Sequence, residues 1–407
     1  MTVNRKIITV QDIMRSNNIP CWVMYCAEKS DPYFMKIVTP KTTAPSVAII
    51  GSKECFVIAH NLDIDNVERY DNVHVVAYER EDKLWQEIEN ALEAIGLPDT
   101  ISLTYSTLKD AQVDVIGYGL YKFLTRRLRK LYTNNNRKVR FSSAEELVYT
   151  FSDRKDETEI SKIRLAARRA LEILEAAFQN MVPGMTELEV VGLVHSLTEQ
   201  KPAYFKEMGV VDEEYAWEKD VCPIVLAGPS LKKGGHAAAS DLRIERGFTV
   251  YFDFGVQLTF EDGSRWSSDI QRMGYVLKEG EIQPPADVSR IFRTLTRAIA
   301  VGMETIRPGM KGYEVDAVVR GHVLKEGYPD YNHSTGHAIG ELAHNPGASL
   351  SSKSRKLSHL RVQQNGVYSI EPRIAIPNGG SVEEMVLVTA NGGVALCQQQ
   401  KTLYLIG

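Results

Sequence analysis

The pattern of hydrophobic and polar positions predicts two kinds of architecture along the chain. Before residue 150, short apolar runs typical of strands alternate with segments whose apolar residues recur at helical spacing. The strand-like runs are CWVMYC, SVAIIG, CFVIAH, VHVVAY and ISLTYS, and the helical segments span 82–97 and 111–131. This alternation predicts an α/β domain, and the polar stretch 134–143 that follows is interpreted as a connector.

The second part of the chain opens with a long helix signal and contains an internal repeat. The helical pattern covers 159–178 and stops before Pro183 and Gly184. The decapeptide MVPGMTELEV at 181–190 is echoed by IRPGMKGYEV at 306–315, and each copy lies between two helix-like runs. This duplication predicts a pseudo-twofold α+β domain with its helices outside a sheet.

An apolar hairpin, expected in the middle of that sheet, carries two acids. Alternation from Phe248 places Asp253 on the more polar face of its strand, and Asp269 lies in the partner strand. A two-residue turn at 262–263 would put the acids on opposite faces, whereas a three-residue loop at 261–263 puts them on one face. Like charges on one face repel unless a cation or a shared proton compensates. Two unrelated acids on a solvated face remain the alternative.

The composition is that of an ordinary globular protein and argues against two classes of partner. The 407 residues are 43% hydrophobic and 25% charged, with a formal net charge of -4. That charge gives no general attraction to nucleic acid or to an anionic membrane. The basic cluster at 122–140 alternates with Leu and Tyr, which favours the solvated face of a helix and its loop. The length makes two domains the default expectation.

The cysteines and the start of the chain favour the cytoplasm. The first residues lack an apolar core of signal-peptide length, and no apolar run of about 18 residues occurs. The five cysteines are few, odd in number and scattered, as expected of packed thiols in a reducing compartment. They are Cys21, Cys26, Cys55, Cys222 and Cys397.

Further candidate groups lie downstream of the hairpin. His337 and His344 belong to a glycine-broken stretch that is unlikely to form a helix. Glu371 ends an apolar strand, and the proline after it holds it extended. Another apolar strand begins with Glu383 and Glu384.

Taken singly, each of these groups has an ordinary structural explanation. Together they place four carboxylates and an imidazole at strand edges in one domain, and buried carboxylates are costly without compensation. Such a donor set favours Mn, Co, Fe or Zn ions that share bridging oxygens over a thiolate zinc site.

In their order along the chain, these motifs resemble a known family. FDFGV, SSDIQR, TGHAIG with its following His and Pro, SIEP and EEMVLVT are similar to the motifs of the pita-bread metallopeptidases, which include aminopeptidase P, prolidase, creatinase and methionine aminopeptidase. The resemblance implies a catalytic domain at 154–407, preceded at 1–153 by the smaller α/β domain of the creatinase type. It implies five metal ligands and selects Glu383 over Glu384. The implied ligands are Asp253, Asp269, His337, Glu371 and Glu383.

The activity implied by the resemblance is cleavage of the peptide bond before proline, as in aminopeptidase P or prolidase. Two divalent ions, manganese first and cobalt, zinc or iron otherwise, would hold a bridging hydroxide that attacks the carbonyl. Glu371 would exchange protons with it and with the leaving nitrogen, while His236 and His344 would polarise the carbonyl. The resemblance also implies a homodimer with a peptide or small-molecule substrate.

Four residues depart from the family pattern around the expected substrate pocket. They are Ala338, Asn345, Arg373 and Ser381, the last standing where prolidases and aminopeptidases P usually have arginine. These departures keep open a creatinase-like or lyase-like enzyme that acts on a small non-peptide substrate. A non-catalytic binding module on the same fold is a third hypothesis, against which the five intact ligands argue.

Overall fold

The structure, a computed structural model, describes residues 2–39, 41–233 and 237–407. The chain forms two compact units, Met1–Phe151 and Ser152–Gly407. The sequence-based division into domains at 1–153 and 154–407 remains a prediction. Within the described residues, no helix combines the length and apolar character that crossing a membrane would require.

The first unit is built on a mixed sheet of six strands. The strands are β1 Cys21–Cys26, β2 Ser46–Gly51, β3 Cys55–His60, β4 His74–Tyr78, β5 Thr100–Leu103 and β6 Arg140–Ser143. Their order is β4-β3-β2-β1-β5-β6, with antiparallel pairing among β1, β2 and β3 and parallel pairing elsewhere. The helices are α1 Arg5–Ser16, α2 Pro32–Ile37, α3 Glu81–Ala94 and α4 Tyr118–Asn134, and α5 Glu145–Asp153 contains the division between the units.

This unit confirms the predicted α/β alternation but corrects two details. The stretch 134–143 is not a connector, because it ends α4 and then forms β6 in parallel with β5. Its polar residues suit an edge strand, where the Ser102 and Ser142 hydroxyls hydrogen-bond at 2.9 Å. Helix α4 begins at Tyr118 because the preceding residues form turns. Its basic side chains are exposed, as predicted.

The second unit combines two main sheets with surrounding helices. The helices are α6 Glu157–Asn180, α7 Glu187–Glu199, α8 Tyr204–Glu207, α9 Ala286–Thr305 and α10 Gly312–Lys325. The strands are β7 Val210–Tyr215, β8 Ile224–Ala227, β9 Thr249–Phe254, β10 Val256–Phe260, β11 Arg265–Ser267, β12 Ile270–Val276, β13 Ala338–Ile339, β14 Val367–Ile370, β15 Arg373–Ile374, β16 Gly380–Ser381, β17 Glu384–Thr389, β18 Gly392–Ala395 and β19 Tyr404–Ile406. The sheet orders are β19-β12-β9-β8, β13-β14-β17-β18, β11-β10-β7 and β15-β16.

The predicted internal repeat is confirmed. One copy joins α6 to α7 and the other joins α9 to α10. The Gly184 N–H donates to the Ile244 carbonyl at 2.9 Å, and the Gly309 N–H donates to the Val362 carbonyl at 2.8 Å. Both glycines have positive φ, 94° and 87°. The two halves therefore repeat the same helix–turn–helix and the same anchoring of its turn, as a pseudo-twofold α+β fold requires.

The long helix α6 covers the sheet that contains the hairpin. Its N-terminus is fixed by a capping box between Asp156 and Glu159. Near its C-terminus, the Phe178 ring stacks on the rings of Phe252 and Tyr404 at centroid distances of 4.3 and 4.5 Å. This apolar contact buries one face of the sheet and leaves the polar face of β9 free for chemistry.

Of the two turns considered, the hairpin has the three-residue loop at 261–263 and its register. The Phe260 N–H donates to the Ser264 carbonyl at 2.9 Å, and Gly263 is left-handed with φ 77°. The same register continues from β10–β11 into β9–β12, where Asp253 pairs with Gln271. Strands β9 and β12 occupy the middle of their sheet, as expected. Asp253 is thereby placed diagonally across from Asp269, on the same face.

Candidate metal centre

The five predicted metal ligands converge in the second unit. They form two groups, and within each group one donor atom from every residue lies within 4.8 Å of the others. The first group is Asp253, Asp269 and Glu383, and the second is His337, Glu371 and Glu383. Because Glu383 belongs to both groups, the two adjoin, as two neighbouring cations would require.

Each of these residues stands in a strand or directly beside the end of one. Asp253 lies in β9, and Asp269 immediately precedes β12. His337 precedes β13 in the second main sheet. In the same sheet Glu371 follows β14 and Glu383 precedes β17, and the antiparallel register of those strands continues so that the two glutamates oppose each other. The site therefore lies where the ends of two sheets meet.

Two neutral side chains orient the first aspartate. The Tyr251 hydroxyl donates to Oδ2 of Asp253 at 2.9 Å. The Gln271 side-chain amide reaches Oδ2 of Asp253 at 3.3 Å and Oε2 of Glu371 at 3.0 Å. Gln271 thus links carboxylates from the two sheets and fixes which oxygens remain for other partners.

The imidazole of His337 lies between two carboxylates. Its Nε2 is 3.5 Å from Oδ2 of Asp269 and 3.5 Å from Oε1 of Glu371. Its backbone N–H donates to Oγ of Ser369 at 3.0 Å, and that hydroxyl reaches Oε1 of Glu371 at 3.4 Å. The loop that carries the histidine is therefore tied to the strand that carries the glutamate.

The carboxylates carry buried oxygens for which the described part of the chain offers no hydrogen-bond donor. Glu383 is fully buried, and both of its carboxylate oxygens lack a partner there. Oδ1 of Asp269 is likewise buried and lacks a hydrogen-bond partner among the described residues. A buried polar oxygen normally has a partner, because leaving it unpaired is costly. Oxygens of this kind, together with one imidazole, are the ligands that a divalent cation would satisfy.

The electrostatics of the carboxylates support the same interpretation. Burial, and then the charge of Asp253, raises the pKa of Glu371 to about 8. Burial followed by the same aspartate raises the pKa of Asp269 well above its usual range, and burial followed by Asp269 does so for Glu383. These acids resist ionising together in the absence of a cation, and a bound cation would reverse that preference.

Two further histidines, His236 and His344, are predicted to bind the substrate. The ring of His344, an exposed residue, lies 4.1 Å from the ring of His337. One donor atom of His344 lies within 4.8 Å of donor atoms of Asp269 and His337. His236 lies outside the described residues.

A buried ion pair holds β17 and separates the roles of two adjacent glutamates. Nη2 of Arg272 donates to Oε2 of Glu384 at 3.1 Å, and both side chains are buried. Nη1 of the same arginine donates to the carbonyls of Gln271 and Glu383, at 3.0 and 2.8 Å. Glu384 is thus committed to Arg272, while the Glu383 side chain joins the donor groups.

The four residues that depart from the family pattern are all partly or fully buried. Ala338 pairs with Tyr368 between β13 and β14. The Asn345 amide donates to the carbonyls of Ser152 and Pro346 and so braces its own loop. Arg373 and Ser381 oppose each other across the β15–β16 pair.

Sequence reasoning missed the residues that hold the predicted ligands. Tyr251 and Gln271 could have been found, because alternation places them on the polar faces that carry Asp253 and Asp269. Arg272 carried a different signal, a charge at an apolar position of a buried strand. The contact of Ser369 with the histidine loop depends on the meeting of distant segments and left no local signal.

Comparisons with known proteins agree with this fold. The model of metallopeptidase family M24 matches residues 161–390. The uncharacterized peptidase YqhT of Bacillus subtilis is 29% identical over 62% of this chain, and the match spans 64% of that protein. The Xaa-Pro dipeptidase of Pyrococcus horikoshii is 24% identical over 98% of this chain and 99% of its own. The crystal structure of the prolidase from Pyrococcus horikoshii covers 98% of this chain and 100% of its own with a TM-score of 0.65 and 23% identity.

Fold and donor set together are those of a pita-bread metallopeptidase. The chain belongs to metallopeptidase family M24. The recognition of the family from the order of its motifs is thereby confirmed, as are the fold class and the prediction of an enzyme. Divalent metal ions are the cofactors of such peptidases, and the two donor groups fit them.

Proposed function

We propose that this protein is a dinuclear metal-dependent peptidase that cleaves the bond before proline, of the prolidase or aminopeptidase P type. The observation that carries the proposal is the pair of donor groups that share Glu383, a fully buried carboxylate with two unpartnered oxygens within the described residues. The similarity to an Xaa-Pro dipeptidase along nearly the whole chain supports the choice of substrate.

Two divalent ions would be held by the five converging side chains. The donors are mostly carboxylate oxygens, which suits manganese first, with cobalt, zinc or iron as alternatives. When bound, the ions would supply Lewis acidity for the scissile carbonyl and a nucleophile of lowered pKa. The ligands would be Asp253, Asp269, His337, Glu371 and Glu383.

Glu371 is the group best placed to move a proton. Gln271 holds its Oε2 at 3.0 Å, so Oε1 is the oxygen at which a proton would be taken from the nucleophile and given to the leaving nitrogen. Burial raises the pKa of this carboxyl in the absence of a cation, and bound ions would lower that pKa, so that the group starts as the proton acceptor. Oε1 also lies 3.5 Å from Nε2 of His337, close to the remaining donors.

His344 would bind the substrate carbonyl. It is exposed, so a substrate can reach it, and its ring lies beside that of His337. An imidazole N–H at this position would donate to the oxygen on which negative charge develops. For His236, the predicted role in binding the carbonyl rests on the motif alone.

The test is hydrolysis of an Xaa-Pro dipeptide and an Xaa-Pro-Yaa tripeptide by Mn²⁺-loaded enzyme, with Asp253→Asn as the control. Cleavage that is lost in the variant supports the proposal, and the preferred length distinguishes prolidase from aminopeptidase P. Bound metal without cleavage of either peptide would refute the substrate and would favour the small non-peptide substrate kept open above. Full activity of Asp253→Asn would refute the ligand assignment.

We make two further proposals about the whole protein, the first from the resemblance and the second from the cysteines. We infer a homodimer, to be tested by light scattering on the purified chain at several concentrations. We infer a cytoplasmic location from the cysteines, four of which are buried and all of which are free thiols. Fractionation of the source cells would test the location.

A further inference from the structure

A buried arginine lies next to the metal-binding strand β9 without belonging to the donor groups. Arg373 is 3% exposed, and its guanidinium lies over the Tyr251 ring at 5.1 Å from the centroid. Its Nη2 donates to the carbonyls of Leu231 and Lys233 at 3.2 and 3.1 Å. A planar guanidinium can make both kinds of contact at once, which an ammonium group cannot.

These contacts lead directly to one of the proposed ligands. The Tyr251 side chain is almost fully buried, and its hydroxyl donates to Oδ2 of Asp253 at 2.9 Å. Leu231, whose carbonyl Arg373 holds, packs in the same apolar cluster as Tyr251. The Tyr251 ring is therefore fixed on one side by apolar packing and on another by the guanidinium of Arg373.

The residue opposite Arg373 explains how an arginine fits at this place. Arg373 pairs with Ser381 across β15–β16, and directly opposed residues of an antiparallel pair point to the same face. Ser381 is small and buried, and its hydroxyl donates to the Pro372 carbonyl at 3.0 Å. The two positions border one space, which one long side chain and one short one fill together.

We propose that Arg373 is a positioning residue that acts through Tyr251 to orient the Asp253 carboxylate toward its metal ion, and that the opposed position 381 can supply the same guanidinium. This inference rests on the proposed function, because it presupposes that Asp253 is a ligand. Its consequence is that metal affinity depends on having an arginine at one of the two positions and a small residue at the other.

The experiment measures Mn²⁺ binding to the metal-free full-length protein by calorimetry, with no substrate present. Arg373→Ser should bind Mn²⁺ about 10–100-fold more weakly, as expected when a group that orients a ligand is removed. The reciprocal variant Arg373→Ser/Ser381→Arg should recover wild-type affinity. With Co²⁺ as the probe, the visible absorption spectrum should change in the single variant and return in the reciprocal one.

Arg290→Ser is the matched control. Arg290 is exposed, lies over the Tyr328 ring at 5.5 Å and donates to the Glu326 carbonyl at 2.8 Å, so it makes the same kinds of contact away from the donor groups. This variant should bind Mn²⁺ like the wild type. Thermal unfolding of each metal-free variant checks that the chain is folded.

A double-mutant cycle with Tyr251→Phe tests the route of the effect even if the reciprocal variant does not fold. Tyr251→Phe keeps the ring under Arg373 and removes only the hydroxyl that reaches Asp253. If the arginine acts through the tyrosine, the losses in affinity of Arg373→Ser and Tyr251→Phe are not additive. Additive losses, or a folded Arg373→Ser with wild-type affinity, would overturn the inference. A wild-type protein that binds no divalent ion would instead overturn the proposed function itself.

Discussion

Gly255, which separates β9 from β10, sets the distance between the two aspartates of the hairpin. A Cβ built on it would lie 2.0 Å from the Ser268 carbonyl oxygen and 2.8 Å from Cβ of Ala216. Real Cβ atoms essentially never come closer than 3.0 Å to another heavy atom. In Gly255→Ala the strand pair must therefore open by about 1 Å, next to Asp253 and Asp269.

The expected cost has two parts. Overpacking of a rigid interior costs about 1–3 kcal/mol, and a clash with backbone belongs at the upper end, so we expect about 3 kcal/mol of lost stability. The larger effect is on the site, whose donor atoms lie within 4.8 Å of one another. A displacement of about 1 Å is enough to lower the reaction rate about 100-fold. Metal–ligand distances tolerate an even smaller displacement.

Gly263→Ala, in the turn of the same hairpin, is the matched control. Gly263 has φ 77°, and its built Cβ meets nothing within 4 Å. The alanine there should cost only the strain of the left-handed conformation, about 1–2 kcal/mol, with no change in metal binding.

Urea unfolding of the metal-free proteins gives the stability, and Mn²⁺ calorimetry gives the affinity. If Gly255→Ala matches Gly263→Ala in both measurements, the close approach at Gly255 does not set the geometry of the site.

Three further substitutions separate stability from function. Burial raises the pKa of Asp31 to about 6, so the free energy of unfolding falls by about 2 kcal/mol as pH rises from about 4 to about 6. Asp31→Asn keeps the helix cap and should remove that loss in urea unfolding at the two pH values. Glu384→Gln should lower the unfolding free energy by about 3–5 kcal/mol because it leaves Arg272 buried without its counter-charge. Glu383→Gln should raise the melting temperature of the metal-free protein, since an unpartnered buried carboxylate is lost, and should abolish tight Mn²⁺ binding in calorimetry.

Local patterns were sufficient to predict most elements of the fold. Counting register showed that only a three-residue loop at 261–263 would bring the two acids to one face, and the structure has that loop and register. The repeat around Gly184 and Gly309 was visible because a left-handed glycine after a helix leaves a Pro-Gly signature. The stretch 134–143 was misassigned because an edge strand is polar and carries no alternation that distinguishes it from a loop.

The site was predictable to the extent that its parts share a strand. Glu383 and Glu384 could not be distinguished from the residues alone, since either could face the site. The structure distinguishes them by the partner on the other side of β17, where Arg272 donates a hydrogen bond to Glu384. That partner comes from a strand more than a hundred residues earlier, so no local pattern could reveal it.

The same limitation applies to the two departures at Arg373 and Ser381. In sequence they look like independent changes, a large residue gained at one place and an arginine missing at another. In the fold they oppose each other across β15–β16, with the guanidinium over Tyr251. An arginine gained at 373 and an arginine missing at 381 can be one exchange between opposed positions, which leaves the positive charge near Asp253 in place. For that reason the departures are weaker evidence for a changed substrate than their number suggests, and the Xaa-Pro peptides are the first substrates to test.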